Sequence, residues 1–205
     1  MSKKNYEKDS NVLLKIVIII LIIVVIGFVY EKIRTPKSSQ TQSSESSDPT
    51  HKLVGKPAPE FSLTDREGNT YTNENLKGKR VVLFFNEGLM CYPACWDQML
   101  EFPKDERFKA DDIVVLSVVV DSKDSWQKAI EKMPEMGMVK AALDEGSKVS
   151  RAFGMLSVPS SMHAGAFPGH TYVVLDKDGI VRYVLDDPRM AINNGQVYVE
   201  INKLK

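Results

Sequence analysis

The two cysteines of this 205-residue chain lie close together, in the segment NEGLMCYPACWDQM. Cys91 and Cys95 follow an apolar run and open a helical segment, so we expect them at a strand-to-helix junction. The first turn of a helix offers free backbone N–H groups and the positive end of the helix dipole, which favour a thiolate. A thiolate is a better nucleophile and a better metal ligand than a thiol. The pair therefore indicates redox or metal chemistry, while two ordinary buried cysteines or an inert disulfide remain open alternatives.

The spacing of the cysteines limits how they can form a disulfide. In an unbroken helix, residues four apart hold their Cβ atoms about 5–6 Å apart, whereas a disulfide requires roughly 3.8 Å. Pro93 suits the first helical turn, which places Cys91 at or just before the cap and Cys95 one turn into the helix. A bridge would therefore need Cys91 outside helical geometry. Because so short a loop constrains the unfolded chain little, we expect a readily reduced bond rather than a structural one.

Four further side chains are candidates for a supporting role. Glu87, four residues before Cys91, could shuttle protons during thiol exchange, or it is a surface loop carboxylate. Trp96 could cover the thiols, although packing in the core is an alternative. His170 precedes a late apolar strand that should approach the cysteine-bearing helix, and otherwise it is a hydrogen-bonded strand-edge residue. His163, in the loop before it, could approach as well or is a plain loop residue.

The elements that must position these residues follow from short apolar runs. Three runs are continuous rather than alternating, as expected for strands covered on both faces: 80–86, 113–121 and 171–176. Two hairpin signals, at 65–68 and at 178–179, connect 61–63 with 70–72 and 171–176 with 180–185. Helical segments are predicted at 95–108, 122–133 and 147–153. Strands that alternate with helices and end in a hairpin predict an α/β sandwich with a mixed sheet.

The first fifty residues have a different composition. Residues 12–30 read VLLKIVIIILIIVVIGFVY, and nineteen residues at ~1.5 Å rise span roughly 28 Å, close to the thickness of a bilayer's hydrocarbon. We predict a short leader (1–11), one transmembrane helix (12–30) that anchors the chain in the cell membrane, a flexible Ser/Thr-rich linker (31–51) and one folded domain (52–205). A cleaved signal peptide or a buried core helix are the alternatives for the apolar segment.

Charge bears on location and on partners. Lysines and arginines flank the apolar segment almost equally, but a short leader favours an inside amino terminus and an extracytoplasmic domain. The chain has 27 basic and 27 acidic residues, and the domain after residue 50 has 20 and 22. Such a balance argues against a nucleic-acid partner, which calls for a basic face.

Several segments together carry a family resemblance. GKPAPEFSLTDREGN (55–69), RVVLFFN (80–86), a cysteine at the next helix start and HTYVVLDKDGIVRYVL (170–185) resemble the thioredoxin-fold redoxins. More narrowly, they resemble the alkyl-hydroperoxide-reductase/thiol-specific-antioxidant, or peroxiredoxin-like, branch, over about 52–205. The resemblance implies a thioredoxin-like sandwich with a central sheet of four or five strands and no cofactor. It also implies that Cys91 attacks a peroxide or protein disulfide, that Cys95 resolves the product, and that an external thiol reductant regenerates the pair.

Two residues depart from that family's pattern. Peroxiredoxins usually carry Thr or Ser three residues before the attacking cysteine and an arginine six residues before the Asp of the late strand, groups that polarise a peroxide and stabilise the thiolate. Here Gly88 and His170 occupy these positions. A second resemblance is to Sco-type copper chaperones, which implies a copper site made of Cys91, Cys95 and His170. The Sco pattern has proline after each cysteine, whereas Tyr92 and Trp96 follow them here. An oxidoreductase and a copper-binding protein that assembles metallocentres thus remain the two main hypotheses, beside an interaction domain with incidental thiols.

Overall fold

A computed structural model describes residues 52–205 together with Leu21. The predicted leader, membrane span and linker otherwise lie outside the described residues and stay predictions. Among the residues that are described, no helix is long and apolar enough to cross a membrane.

One mixed sheet of seven strands forms the centre of the fold. The strands are β1 Ser62–Asp65, β2 Thr70–Thr72, β3 Arg80–Phe85, β4 Ile113–Val119, β5 Ala141–Leu143, β6 Thr171–Leu175 and β7 Val181–Asp186. Their order across the sheet is β2-β1-β5-β4-β3-β6-β7. The β3–β4 and β4–β5 pairs are parallel, and all other pairs are antiparallel. The predicted α/β sandwich with a mixed sheet is confirmed.

The central strand β3 is covered on both faces. Val81, Leu83 and Phe85 contribute to one apolar cluster, while Val82 and Phe84 contribute to the other. All six residues of β3 are buried, which explains why the sequence shows a continuous apolar run instead of the alternation of a half-exposed strand.

Four helices flank the sheet: α1 Ala94–Lys104, α2 Lys123–Lys132, α3 Lys148–Ala152 and α4 Asn194–Asn202. Buried residues of α1, α2 and α4 belong to the cluster that contains both cysteines, and α3 contributes to the cluster on the other face. Helix α2 is capped by Ser122, whose side chain accepts a hydrogen bond from the Ser125 N–H. Helix α1 ends four residues before its predicted end because Asp105 is extended and caps a separate 3-10 turn, Glu106–Phe108.

The expectation of four or five central strands is wrong, because the sheet continues beyond β4. The short strand β5 pairs with β4 on one side and with β1 on the other. The predicted amino-terminal hairpin, β1–β2, is therefore part of the main sheet. Neither β5 nor helix α4 was among the predicted elements.

The packing of α4 gives a test of the fold. Ile201 is fully buried in the cysteine-side cluster, whereas Val199 is 55% exposed on the same helix. We expect Ile201→Ala to lower the free energy of unfolding by about 2–4 kcal/mol, since it leaves a cavity. The matched change Val199→Ala should stay within about 0.5 kcal/mol of wild type. Urea denaturation measures both; equal effects would contradict the placement of α4.

Candidate active site

The cysteines lie where β3 passes into α1, as the sequence predicts. A 3-10 turn, Gly88–Met90, ends at Cys91, and α1 begins at Ala94 with Pro93 at the cap. Cys91 has φ −92° and ψ 57°, outside helical geometry, and it is bonded to Cys95 with their Cα atoms 5.3 Å apart. The prediction that a bridge displaces Cys91 from the helix is confirmed. The expected position of Cys95 one turn into the helix is wrong, since it is the second helical residue.

Both sulfur atoms are nearly closed off from solvent. Cys91 is 3% exposed and Cys95 is fully buried. The Met190 Sδ atom lies 3.9 Å from Cys91 Sγ, and Met190 has a left-handed φ of 51°, unusual for a residue with a side chain. Asp187 holds this segment by accepting hydrogen bonds from the backbone N–H groups of Arg189 and Ala191. Sequence reasoning missed Met190, because the contact joins residues 99 positions apart.

His170 lies beside the second cysteine. The Nδ1 atom of His170 is 3.7 Å from Cys95 Sγ, and its Nε2 atom is 2.8 Å from Tyr172 Oη and 3.3 Å from the Ala191 carbonyl oxygen. Burial lowers the pKa of His170 to about 4, against a smaller opposing effect of the Ala191 carbonyl and the Asp187 carboxylate. The imidazole is therefore neutral at physiological pH.

On its Nε2 side, His170 belongs to a network of hydrogen bonds between buried polar side chains. Tyr172 Oη donates to Gln98 Oε1 at 2.8 Å, and the same oxygen accepts the Asn193 N–H at 2.7 Å. Gln98 Nε2 donates to Asn194 Oδ1 at 2.8 Å. Burial raises the pKa of Tyr172, so its hydroxyl keeps its proton. The sequence contained one signal for Tyr172. It lies two residues after His170, and residues two apart in an extended chain point to the same face.

Glu87 is an anchor for the following loop. Its side chain is 1% exposed, so the alternative of a surface loop carboxylate is wrong. The carboxylate accepts the N–H groups of Met162 and His163 at 2.7 and 3.0 Å and lies 2.8 Å from His163 Nδ1. The structure thus brings Glu87 to His163 and the 160s loop, and none of these hydrogen bonds reaches a sulfur atom.

Trp96 packs beside the disulfide. It is partly buried against the cluster that contains Cys91 and Cys95, and its ring meets Tyr92 edge-on with centroids 5.3 Å apart. Its Nε1 atom is buried without a hydrogen-bond partner. The contacts of Trp96 fit the predicted packing role.

Gly88, one of the two departures from the family pattern, has a steric cause. It has a φ of +61°, and a Cβ built there would overlap the Asp121 carboxylate. Asp121 comes after β4 and accepts the Leu89 N–H at 3.1 Å, and burial raises its pKa. The space that the family's Thr or Ser side chain needs is therefore filled by Asp121.

The copper alternative finds no support. The two cysteine sulfurs are bonded to each other, and within the described part of the chain no group of three His, Cys, Asp or Glu residues could hold a metal ion. The trio of Cys91, Cys95 and His170 is therefore not a metal centre in this structure.

The contact between Gly88 and Asp121 can be tested by a double-mutant cycle. We expect Gly88→Ala to lower the free energy of unfolding by about 1–3 kcal/mol, because alanine is strained at positive φ and its Cβ meets the carboxylate. In an Asp121→Ala background the same change should cost less, since the carboxylate is gone. Strictly additive effects in urea denaturation would show that the two residues do not compete for this space.

Comparison with known proteins agrees with this geometry. Residues 54–184 match the AhpC/TSA family. The chain is 34% identical over 139 residues to the chloroplastic peroxiredoxin Q of Sedum lineare, an alignment that covers 65% of this chain and 68% of that protein. It is 23% identical over 174 residues to the thiol-disulfide oxidoreductase ResA of Bacillus thuringiensis subsp. konkukian, covering 85% of this chain and 87% of ResA.

A solved structure gives the same fold. The crystal structure of a peroxiredoxin-like protein from Aquifex aeolicus superposes with a TM-score of 0.62 at 20% identity, covering 74% of this chain and 87% of that chain. The fold is therefore thioredoxin-like. Taken with the sequence matches, the chain belongs to the AhpC/TSA family and is a thiol-dependent oxidoreductase.

Proposed function

We propose that this protein is a membrane-tethered thiol oxidoreductase in which Cys91 attacks the substrate and Cys95 resolves the product. The observation that carries the proposal is the bonded pair itself, with Cys91 outside the helix and Cys95 inside its first turn. Cys91 lies ahead of the helix, where free N–H groups and the dipole favour a thiolate. Of the two nearly buried cysteines, Cys91 is the more exposed at 3%, and the fully buried Cys95 is suited to an attack within the protein.

The reaction has three steps. The Cys91 thiolate attacks a disulfide, forms a mixed disulfide and releases one substrate thiolate; with a peroxide it takes one oxygen, becomes a sulfenic acid and releases an alcohol or water after protonation. Cys95 then attacks Cys91 Sγ, forms the bond found here and releases the second thiol or water. An external dithiol reduces the bond and is itself oxidised to a disulfide.

Disulfides are the substrate class that the site favours. The family's peroxide-polarising hydroxyl cannot stand at residue 88 while Asp121 fills the space. The family's arginine is replaced by His170, a neutral side chain that contacts Cys95 and not Cys91. Attack on a disulfide needs neither group, because a thiolate is a good leaving group. Similarity to ResA, a thiol-disulfide oxidoreductase by name, supports the same substrate.

Peroxides are the second candidate substrate. They are favoured by the AhpC/TSA match and by the identity with peroxiredoxin Q. Since both reactions use the same two cysteines, only the first step distinguishes them.

The location is part of the proposal. The apolar run at 12–30 and the Ser/Thr-rich segment at 31–51 support a single-pass anchor with a tether. We place the domain on the extracytoplasmic side of this anchor, where it would meet its reductant and its substrate.

Variants of the two cysteines test the assigned roles. We expect Cys91→Ser to abolish turnover with a protein disulfide or hydrogen peroxide, because the nucleophile is gone. Cys95→Ser should still react once per protein and then stop as the Cys91 adduct, which intact-protein mass spectrometry detects. Turnover that persists in Cys91→Ser would overturn the assignment.

Substrate preference is tested by comparing kcat/KM for a protein disulfide and for hydrogen peroxide, each with a saturating dithiol reductant. We expect the disulfide to have the higher value, because no hydroxyl stands at residue 88 to polarise the peroxide. A higher value for hydrogen peroxide would favour the second candidate.

A further inference from the structure

The two ring nitrogens of His170 have different and fixed roles. The Ala191 carbonyl oxygen accepts from Asn193 Nδ2 at 3.0 Å and lies 3.3 Å from Nε2, and because it can only accept, a bond to Nε2 requires a proton on that nitrogen. The contact of Nε2 with Tyr172 Oη at 2.8 Å is consistent with this, if the hydroxyl acts there as an acceptor.

The tyrosine hydroxyl does act as an acceptor, because its single proton is used elsewhere. Gln98 donates through Nε2 to Asn194 Oδ1, and its Oε1 atom accepts the backbone N–H of Asn193. The backbone donor fixes which end of the Gln98 amide is oxygen. Tyr172 Oη lies 2.8 Å from Gln98 Oε1 and 3.3 Å from the Ala191 carbonyl oxygen, two groups that can only accept. It therefore donates its proton to the nearer one, Gln98 Oε1, and offers a lone pair to His170 Nε2.

The remaining nitrogen, Nδ1, then has a free lone pair, and it faces Cys95 Sγ at 3.7 Å. In the disulfide Cys95 carries no proton. Once the bond is reduced, the Cys95 S–H is within reach of this lone pair.

We propose that His170 is the general base that removes the Cys95 thiol proton as Cys95 attacks the Cys91 adduct. This inference rests on the proposed function and deepens it, because it assigns a catalytic role in the second step. The sulfur–sulfur bond forms while the S–H bond breaks, and Nδ1 receives the proton. With a mixed disulfide the bond to the substrate sulfur breaks and the substrate leaves as a thiolate. With a sulfenic acid the hydroxide leaves and takes the proton from Nδ1, so that water is released.

Burial explains why a built-in base is needed. Cys95 and His170 are both fully buried, so bulk water has no direct path to the thiol. The ring is neutral at physiological pH, so its Nδ1 lone pair is free; burial also disfavours the charged imidazolium, which therefore exists only transiently. The groups around the ring are Cys95 and Gln98 on α1, Tyr172 on β6, Phe84 on β3, and Asp187 and Ala191 in the following loop. Of these, the Asp187 carboxylate favours the positive ring that forms transiently.

The geometry assigns the base to Cys95 rather than to Cys91. Nδ1 contacts Cys95 Sγ, whereas Cys91 Sγ, besides its bond to Cys95, contacts the Met190 thioether. A thioether does not take up protons in water. Loss of His170 should therefore slow the second step and leave the first unchanged.

The test uses an aromatic nitrobenzoate disulfide that releases a coloured thiolate. The reduced full chain, mixed rapidly with one equivalent, releases one thiolate when Cys91 attacks the reagent and a second when Cys95 closes the bond. This leaving thiolate needs no proton, so the second phase reports on removal of the Cys95 proton. Wild type is compared with His170→Ala and with His170→Asn, whose amide oxygen can accept the S–H hydrogen bond but cannot act as a base.

In both variants we expect the first phase to stay within about twofold of wild type and the second to slow by at least tenfold, since a general base typically contributes about 10²–10⁴-fold. The rate constant of the second phase in wild type should not change between pH 5 and pH 8, a range that lies about a unit or more above the imidazole pKa. In the variants it should rise about tenfold per pH unit, because closure then depends on the thiolate. The exposed histidine gives a matched control: His163→Asn should leave both phases unchanged.

Two outcomes would overturn the proposal: a wild-type rate of closure in His170→Asn, or a slowed rate that remains flat with pH, which a merely structural role would produce. A peroxide arm gives independent evidence. With one equivalent of hydrogen peroxide the His170 variants should accumulate Cys91 sulfenic acid, trapped and weighed as its dimedone adduct. A failure of the proposed function would look different. The wild-type protein would then close the reagent adduct at its normal rate but would turn over neither protein disulfides nor peroxide.

Discussion

The requirement that two sulfur atoms four residues apart come within bonding distance shapes the junction between β3 and α1. A continuous helix would hold the two side chains too far apart, so the helix must begin after Cys91. It begins at Ala94. The residues between the strand and Cys91 form a 3-10 turn that requires a left-handed backbone at Gly88. Because β4 is the parallel neighbour of β3, the segment after β4 lies beside this turn and supplies Asp121 to its Leu89 N–H.

A second constraint is the cost of burying polar groups beside the sulfurs. His170, Tyr172 and Gln98 are all fully buried, and a buried polar group without a partner is costly. Each of these three has partners, and together they give the chain of hydrogen bonds one direction. In this arrangement every buried donor of the network has an acceptor, and the lone pair on His170 Nδ1 is left facing Cys95. Stability and chemistry therefore depend on the same contacts.

The parts of the fold that could be predicted are those with local signals. Continuous apolar runs identify β3, β4 and β6, and Pro93 marks the start of α1. Strand β5 escaped prediction because its three residues are too few to show a pattern. Helix α4 is short and contains Val, Ile, Asn and Gly, which have low helix propensity, so tertiary packing of Val197 and Ile201 stabilises it. At the site, spacing predicted the geometry of the cysteines. The contacts of Glu87 with the 160s loop and of Cys91 with Met190 could not be predicted, because they join residues 75 or more positions apart.

The two departures from the family pattern have one common explanation. In the family, a hydroxyl and an arginine assist the first step by polarising a peroxide beside the attacking thiolate. Here Asp121 fills the place of the hydroxyl, and His170, in the place of the arginine, faces the second cysteine. A disulfide substrate needs neither the hydroxyl nor the arginine, since its leaving group is already a stable thiolate. Closure of the bond by a fully buried thiol still requires removal of a proton. In the proposed mechanism the assistance has thus moved from the first thiol to the second, where His170 faces Cys95.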